Sequence, residues 1–302
     1  LLSAIEENDA TRRAELTDEY PNTAVHESID TRGEEDGLVI ATPASTHFGW
    51  ATRALQRGLN VLVEKPLSLT AEEGMILVEL ARKKDLQLMT GHLLEYHPAL
   101  QAVKKLVHGG QIGSLLALRM IRCNLGTVRT EENVLYSFAP HDVSMALSLV
   151  GDMPVRLDAR GYCSITDGVE DTVYYSLEFP GSVQVQGTAS WLEPTKEHRL
   201  VVVGDRGMIV WNDTPGSRGV TLYETELIRD DSMPLPKLKL TGTEDVPVEG
   251  PSPLEAELQA FGESIRLGLP SETGDVQGFR VLKVLDALQS SLKNGGRTVE
   301  FD

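Results

Sequence analysis

Apolar runs and stretches of helical periodicity alternate along the first third of the chain. Residues 1–6 read as a strand and 9–19 as a helix rich in Arg and Glu. The run Gly37-Leu38-Val39-Ile40-Ala41-Thr42 is short and apolar, the pattern of a strand buried on both faces, and Pro43 stops it. A helix follows over 45–57, with Phe48, Ala51 and Leu55 on one face and Gly58 at its end. Residues 60–64 give another strand, stopped by Pro66. Thr70 with Glu73 three residues on forms a capping box, and Met75, Ile76, Val78, Leu80 and Ala81 continue the helix it opens. A further strand is predicted over 86–90. Strand and helix in alternation, with short links, predict a parallel sheet with helices on both faces.

Pro98 suits the first turn of a helix carrying Leu100, Val103, Leu106 and Val107, ended by Gly109-Gly110. Beyond it the texture changes. Alternating segments near 115–124, 155–164, 169–179, 183–191, 198–203 and 207–211 are joined by turn signals such as Pro180-Gly181. They predict a largely antiparallel sheet. Two late helices are expected over 253–267 and 275–293, and the stretch 232–253 is expected to be a surface loop. The fold class is therefore α/β plus α+β. A boundary near residue 111 separates a Rossmann-type part over 1–111 from an α+β part over 112–302.

Composition narrows the function. The 302 residues are 41% hydrophobic and 24% charged, ordinary for a globular protein. No apolar run approaches the roughly 18 residues a membrane span needs. Two cysteines, Cys123 and Cys163, make neither a disulfide framework nor a multi-cysteine zinc site, and a reducing cytoplasm is the simplest home. The net charge of −17 argues against nucleic acid and anionic membranes as partners. A phosphorylated small molecule stays open, because a few local cations and amides can hold it.

A parallel nucleotide-binding sheet opens with a strand and a Gly-x-Gly-x-x-Gly turn, whose amides hold a pyrophosphate. No such turn occurs in the sequence. The chain reads as opening on the second strand of that unit, with the first strand, turn and helix expected upstream of residue 1. Glu7, at the end of the opening strand, suits a ribose diol and repels a 2′-phosphate; a solvated carboxylate is the plainer reading. Lys65 ends an apolar strand at the ligand-binding edge and can stabilise a developing alkoxide, or it is an exposed lysine before a proline. Thr42, Pro43, Thr46 and His47 place polar groups at a helix start, for a ligand or for capping alone. His141 follows Pro140, which suits the first turn of a helix reaching Val150. The positive end of that helix favours a neutral imidazole, able to act as a base, or a histidine that only caps. His92 and His97 do not share a helix face and no Cys, His or Asp cluster supports them, so no metal site is expected. Neither a Gly-x-Ser-x-Gly elbow nor a phosphate loop is present.

Together, Ala41-Thr42-Pro43-Ala44-Ser45-Thr46-His47, Val63-Glu64-Lys65-Pro66-Leu67, Gly91-His92-Leu93-Leu94-Glu95-Tyr96-His97-Pro98 and Ala139-Pro140-His141-Asp142 resemble the Gfo/Idh/MocA oxidoreductases. The last two pieces look like the subgroup of nucleotide-sugar dehydrogenases. The resemblance implies two domains, a nicotinamide in the cleft between them, and assembly as a homodimer or homotetramer. It implies NAD rather than NADP, lined by Glu7, Thr42, Pro43, His47, Glu64, Lys65 and His92. Lys65 and His141 would flank the reacting carbon as catalytic residues. Tyr96, Asn124, Arg129 and Ser137 would join them around a sugar or nucleotide-sugar substrate. Many members carry Asp four residues before the catalytic histidine, where this chain has Ser137. Arg122, Asn124, Arg129, Lys196 and Arg199 are further candidates to face a diphosphate, or are scattered surface charge, and residues 124–129 read as a loop near the cleft. A free-polyol dehydrogenase and a non-catalytic ligand-binding homologue are the alternatives.

Overall fold

The computed structural model describes residues 2–28, 35–130, 132–214, 216–229 and 235–301. β1 (Ala4–Glu6) and β2 (Ala24–His26) pair in parallel around α1 (Ala10–Glu19), which Asp9 caps by accepting the Arg12 amide. Leu1 lies outside the described residues. β2 was not expected: it is three residues long, and main-chain pairing with β1 holds it rather than an apolar face. β3 (Gly37–Ile40), β4 (Asn60–Glu64) and β5 (Leu88–Gly91) form a second parallel sheet, crossed over by α2 (Ala44–Gln56) and α3 (Ala71–Lys84). Alternation along β4 explains its apolar run. Val61 and Val63 pack with Ala51, Leu55, Leu77 and Ala81 on one side, while Leu62 packs with Met89 and Phe261 on the other.

After a 3-10 turn at Leu93–Tyr96 come α4 (Pro98–His108), β6 (Leu115–Cys123) and α5 (Val134–Val150). Then β7 (Arg156–Tyr162), β8 (Thr172–Glu178), β9 (Gln184–Ser190), β10 (Glu197–Gly204), β11 (Gly207–Thr214), β12 (Ser217–Ile228) and β13 (Lys237–Val246) follow. The chain ends with α6 (Pro253–Leu267), α7 (Asp275–Lys293) and β14 (Val299–Glu300). The nine-stranded sheet has the order β13-β12-β11-β10-β6-β9-β8-β7-β14. It is antiparallel except where β6 meets β9. α5 and α7 cover one face, setting Val143, Leu147, Val284 and Leu288 on Met120, Val173, Leu177 and Val185.

Two expectations need correction. The stretch 232–253 is not a loop throughout: residues 235–253 include β13, which pairs with β12 from Val220↔Val246 to Ile228↔Lys237, while 232–234 lie outside the described residues. β13 is an edge strand with Leu238 and Leu240 exposed, so it lacks the one-sided burial that marks a strand in a sequence. Nor do the last two helices serve only the large sheet. Phe261 of α6 packs beneath the parallel sheet, and α7 lies between two cores, giving Leu282 to one and Val281, Val284, Leu285 and Leu288 to the other. Gly278 makes this approach possible, since a Cβ there would fall 2.1 Å from Thr90 Oγ1. Among the described residues no helix is long and apolar enough to cross a membrane.

Candidate active site

β3, β4 and β5 run in register, Ile40 beside Val63 and Glu64 beside Gly91, so their C-terminal ends make one edge. Thr42, Lys65 and His92 follow directly. Ligands of open parallel sheets bind at such an edge. Thr42 Oγ1 is 2.7 Å from Thr46 Oγ1, and Thr46 donates from its amide and its hydroxyl to the Pro43 carbonyl. These bonds tie the start of α2 to the loop before it, with no side chain capping the helix, and Thr42 is exposed. His47 is buried, with Nδ1 2.7 Å from the Pro66 carbonyl and Nε2 2.8 Å from that of Thr42. The ring ties the loops after β3 and β4 together; both nitrogens are taken up by main chain, so it shapes the edge and offers a ligand no free polar atom. Glu7 follows β1 directly, and its Oε1 accepts the Asp9 amide 2.9 Å away.

Lys65 is bracketed by a cis bond to Pro66 and by Glu64, whose Oε2 accepts the Lys65 amide at 3.2 Å. Its Nζ donates to the Ser137 carbonyl across 2.9 Å, joining the parallel sheet to α5. Burial lowers its pKa below the usual lysine value, with Glu132 and Glu64 acting against that and Arg129 and Arg122 with it. Ser137 thus orients Lys65 through its main chain, and its side chain is buried. Glu257 of α6 is buried beside Glu64, its Oε1 without a partner, and burial together with Glu64 pushes it up to about 8.

His141 does not occupy a first helical turn. α5 begins at Val134, capped by Asn133, whose Oδ1 accepts the Tyr136 amide, and Pro140 sits inside the helix. The helix tolerates the missing Pro140 amide because most of its residues are buried between sheet and α7. The helix dipole therefore does not set the state of His141. Burial does so first, and then Arg122, Lys65, His92 and His198, which together hold its pKa well below 6.5. Nδ1 is buried without a hydrogen-bond partner, which leaves Nε2 as the nitrogen able to meet a ligand. His92 is 1% exposed, and neither of its ring nitrogens has a partner; burial and then Lys65 lower it to about 3. Native interiors hold few such orphaned atoms. Their gathering on Lys65 at a strand-end edge fits the polar rim of a nicotinamide and the hydroxyls of a substrate.

The other expected contacts divide. Asn124 reaches this region, its Oδ1 accepting from His198 Nε2 at 3.2 Å. Arg129 binds Glu132. Lys196 is exposed, and Arg199 lies on the opposite face of β10 from His198. Arg122 is buried and holds Asp142. Two cations of the expected cluster, Arg122 and Arg129, are thus engaged by carboxylates. Tyr96 is turned elsewhere: its hydroxyl is 3.0 Å from Thr273 Oγ1 and its ring packs against Phe261, Leu62 and Met89. The sequence reading passed over His198, although it shares a β10 face with buried Leu200 and Val202, and that alternation could have revealed it.

Comparisons with known proteins bear on the fold and the family. Residues 2–92 match the family model described as an oxidoreductase family, NAD-binding Rossmann fold, and residues 100–210 match the GFO/IDH/MocA C-terminal domain. A UDP-N-acetylglucosamine 3-dehydrogenase of Acidithiobacillus ferrooxidans is 27% identical over 282 residues, 93% of this chain and 86% of the relative. An inositol 2-dehydrogenase of Corynebacterium glutamicum is 29% identical over 165 residues, covering 53% of this chain and 49% of its own. Among solved structures, that of the Acidithiobacillus enzyme superposes with a TM-score of 0.83 at 25% identity, covering 97% of this chain and 90% of its own. An inositol dehydrogenase homologue of Azotobacter vinelandii, in complex with NADH and myo-inositol, shares the fold, with a TM-score of 0.79 at 16% identity over 100% of this chain and 90% of its own.

Proposed function

The chain belongs to the Gfo/Idh/MocA oxidoreductase family, and on that footing we propose that it is an NAD-dependent dehydrogenase or ketoreductase of a nucleotide-linked sugar. The observation that carries the chemistry is the convergence of Lys65, His92 and His141 on one strand-end edge, with buried nitrogens lacking partners. The nicotinamide, when bound, supplies the hydride acceptor or donor. Thr42, Glu64 and His92 would hold it from the edge of the parallel sheet, and Glu7 would take the ribose diol, which favours NAD over NADP. His141, kept neutral, takes the hydroxyl proton at Nε2 as an alcohol is oxidised. Lys65 donates a hydrogen bond to the same oxygen and stabilises the charge developing there. Ser137 holds Lys65 in place through its carbonyl. In the reverse direction the same groups return a proton to a keto sugar.

The nucleotide-sugar reading rests on the Acidithiobacillus relative, which spans nearly the whole chain. A free polyol is the second reading, favoured by Arg122 and Arg129 being engaged by Asp142 and Glu132 rather than free for a diphosphate. Fluorescence of NADH titrated with this protein, followed by turnover on UDP-sugars and on inositols, separates the two. Turnover confined to UDP-sugars is expected; turnover confined to inositols would replace the first reading with the second, and absence of NADH binding in a protein that also carries the glycine turn expected upstream of residue 1 would remove both.

A further inference from the structure

Arg122 is a buried cation at the site that the reaction above does not use. It ends β6 on the helix-covered face, directly across from His198 of β10. Its Nε and Nη2 donate to the same Asp142 oxygen, Oδ1, at 3.0 and 2.8 Å, and Tyr175 donates to Oδ2 at 3.3 Å. On the other side Nη1 lies 3.5 Å from His198 Nδ1. Donor and acceptor roles are determined along the whole row. Asn124 Oδ1 can only accept, so His198 Nε2 carries the hydrogen, and Nδ1 is left to accept from Arg122. Asn124 in turn donates to the Leu125 carbonyl within the loop 124–129.

We propose that Arg122 is a positioning residue for His141, tying its helix through Asp142 to the loop 124–129 through His198 and Asn124. This rests on the reading of His141 as the base. The groups that face His141 come from several elements: Lys65 after β4, His92 after β5, Arg122 of β6 and His198 of β10. Elsewhere on the helix, Asp286 of α7 binds Tyr136, Glu95 binds Ser144, and Lys104 of α4 binds Glu95. Of the two cations near the ring, only the guanidinium cannot lose its proton. Lys65, buried and lowered, can. Arg122 adds to the burial that keeps His141 neutral, its charge offset in large part by the Asp142 carboxylate it holds, and its clasp on the residue next to His141 fixes the ring's approach to whatever the loop 124–129 holds.

The test is a titration of histidine ring nitrogens by long-range 1H–15N NMR, on the cofactor-free full chain, between about pH 5 and 9. In the unaltered protein His141 is expected to stay neutral throughout, and His198 to show the Nε2–H form. Arg122→Lys keeps the charge and loses the fork: His141 stays neutral, and His198 keeps the Nε2–H form that Asn124 holds while its Nδ1 resonance shifts with the lost guanidinium donor. The double variant Arg122→Gln with Asp142→Asn removes the ion pair without stranding a buried carboxylate, and keeps the protein foldable. It should shift the His141 ring 15N resonances while the ring stays neutral, and lower kcat about tenfold or more with KM little changed. Unchanged His141 ring resonances in a cooperatively melting double variant overturn the proposal. Absence of turnover in the unaltered protein would instead refute the oxidoreductase reading, and the titration would be unaffected by it.

Discussion

Helix α5 faces two clusters of buried polar groups that are built in opposite ways. At Ser144 it meets Glu95 and Lys104, both almost fully buried. There Glu95 Oε1 accepts from Ser144 and Ser148, its Oε2 accepts from Lys104, and Lys104 also holds Glu272, which Gln101 joins at 3.0 Å. At His141 the same helix meets Lys65 and His92, where buried nitrogens have no partners. Burial costs a polar group its water, and a protein partner ordinarily offsets that cost. The satisfied cluster stiffens the junction of α4, α5 and the α6–α7 link. In the proposed function the unsatisfied one leaves its hydrogen-bonding capacity to a ligand. Residues alike in type and burial thus differ in role according to whether their donors and acceptors close on one another.

The contrast breaks most sharply under truncation. Lys65→Ala and His141→Ala should each lower turnover by about 100- to 10,000-fold while leaving the melting temperature unchanged or higher, since each removes a poorly solvated group. Near-normal rates in either variant would take that residue out of the mechanism.

Lys104→Met should do the reverse, destabilising the fold by about 3–5 kcal/mol because it strands the Glu95 carboxylate. In a chemical denaturation series the double variant Glu95→Met with Lys104→Met should recover much of that loss. Equal stability of the single variant and the unaltered protein would show that the cluster is not structural.

A pH-dependent effect sharpens the boundary between the clusters. Glu257 is buried and raised from 4.5 to about 8. Between those values the folded chain holds a proton that the unfolded chain has lost, so stability declines as pH rises through the window. Glu257→Gln should remove that decline: melting curves of the two proteins should coincide near pH 4.5 and separate toward pH 8, with the variant the more stable. A gap independent of pH would mean that Glu257 finds a partner when ionised.

Much of this molecule was legible before its fold was known. Helix bounds followed from local chemistry, because caps and i to i+4 periodicity act within a few residues: Pro253–Leu267 and Asp275–Lys293 read directly, and Thr70 caps α3. Lys65 and His141 stood out through the motifs around them. The state of His141 did not. Pro140 suggested a first turn and a dipole effect, whereas burial and neighbouring cations from other elements govern the ring. β13, lacking a buried face, left no periodic mark. The meetings that make the site, Lys65 with Ser137 72 positions away and Arg122 with both Asp142 and His198, leave no trace in any window of sequence. Short-range order is written in residue spacing, but which distant groups share one desolvated volume is decided only when sheet edges, α5 and α7 pack against each other.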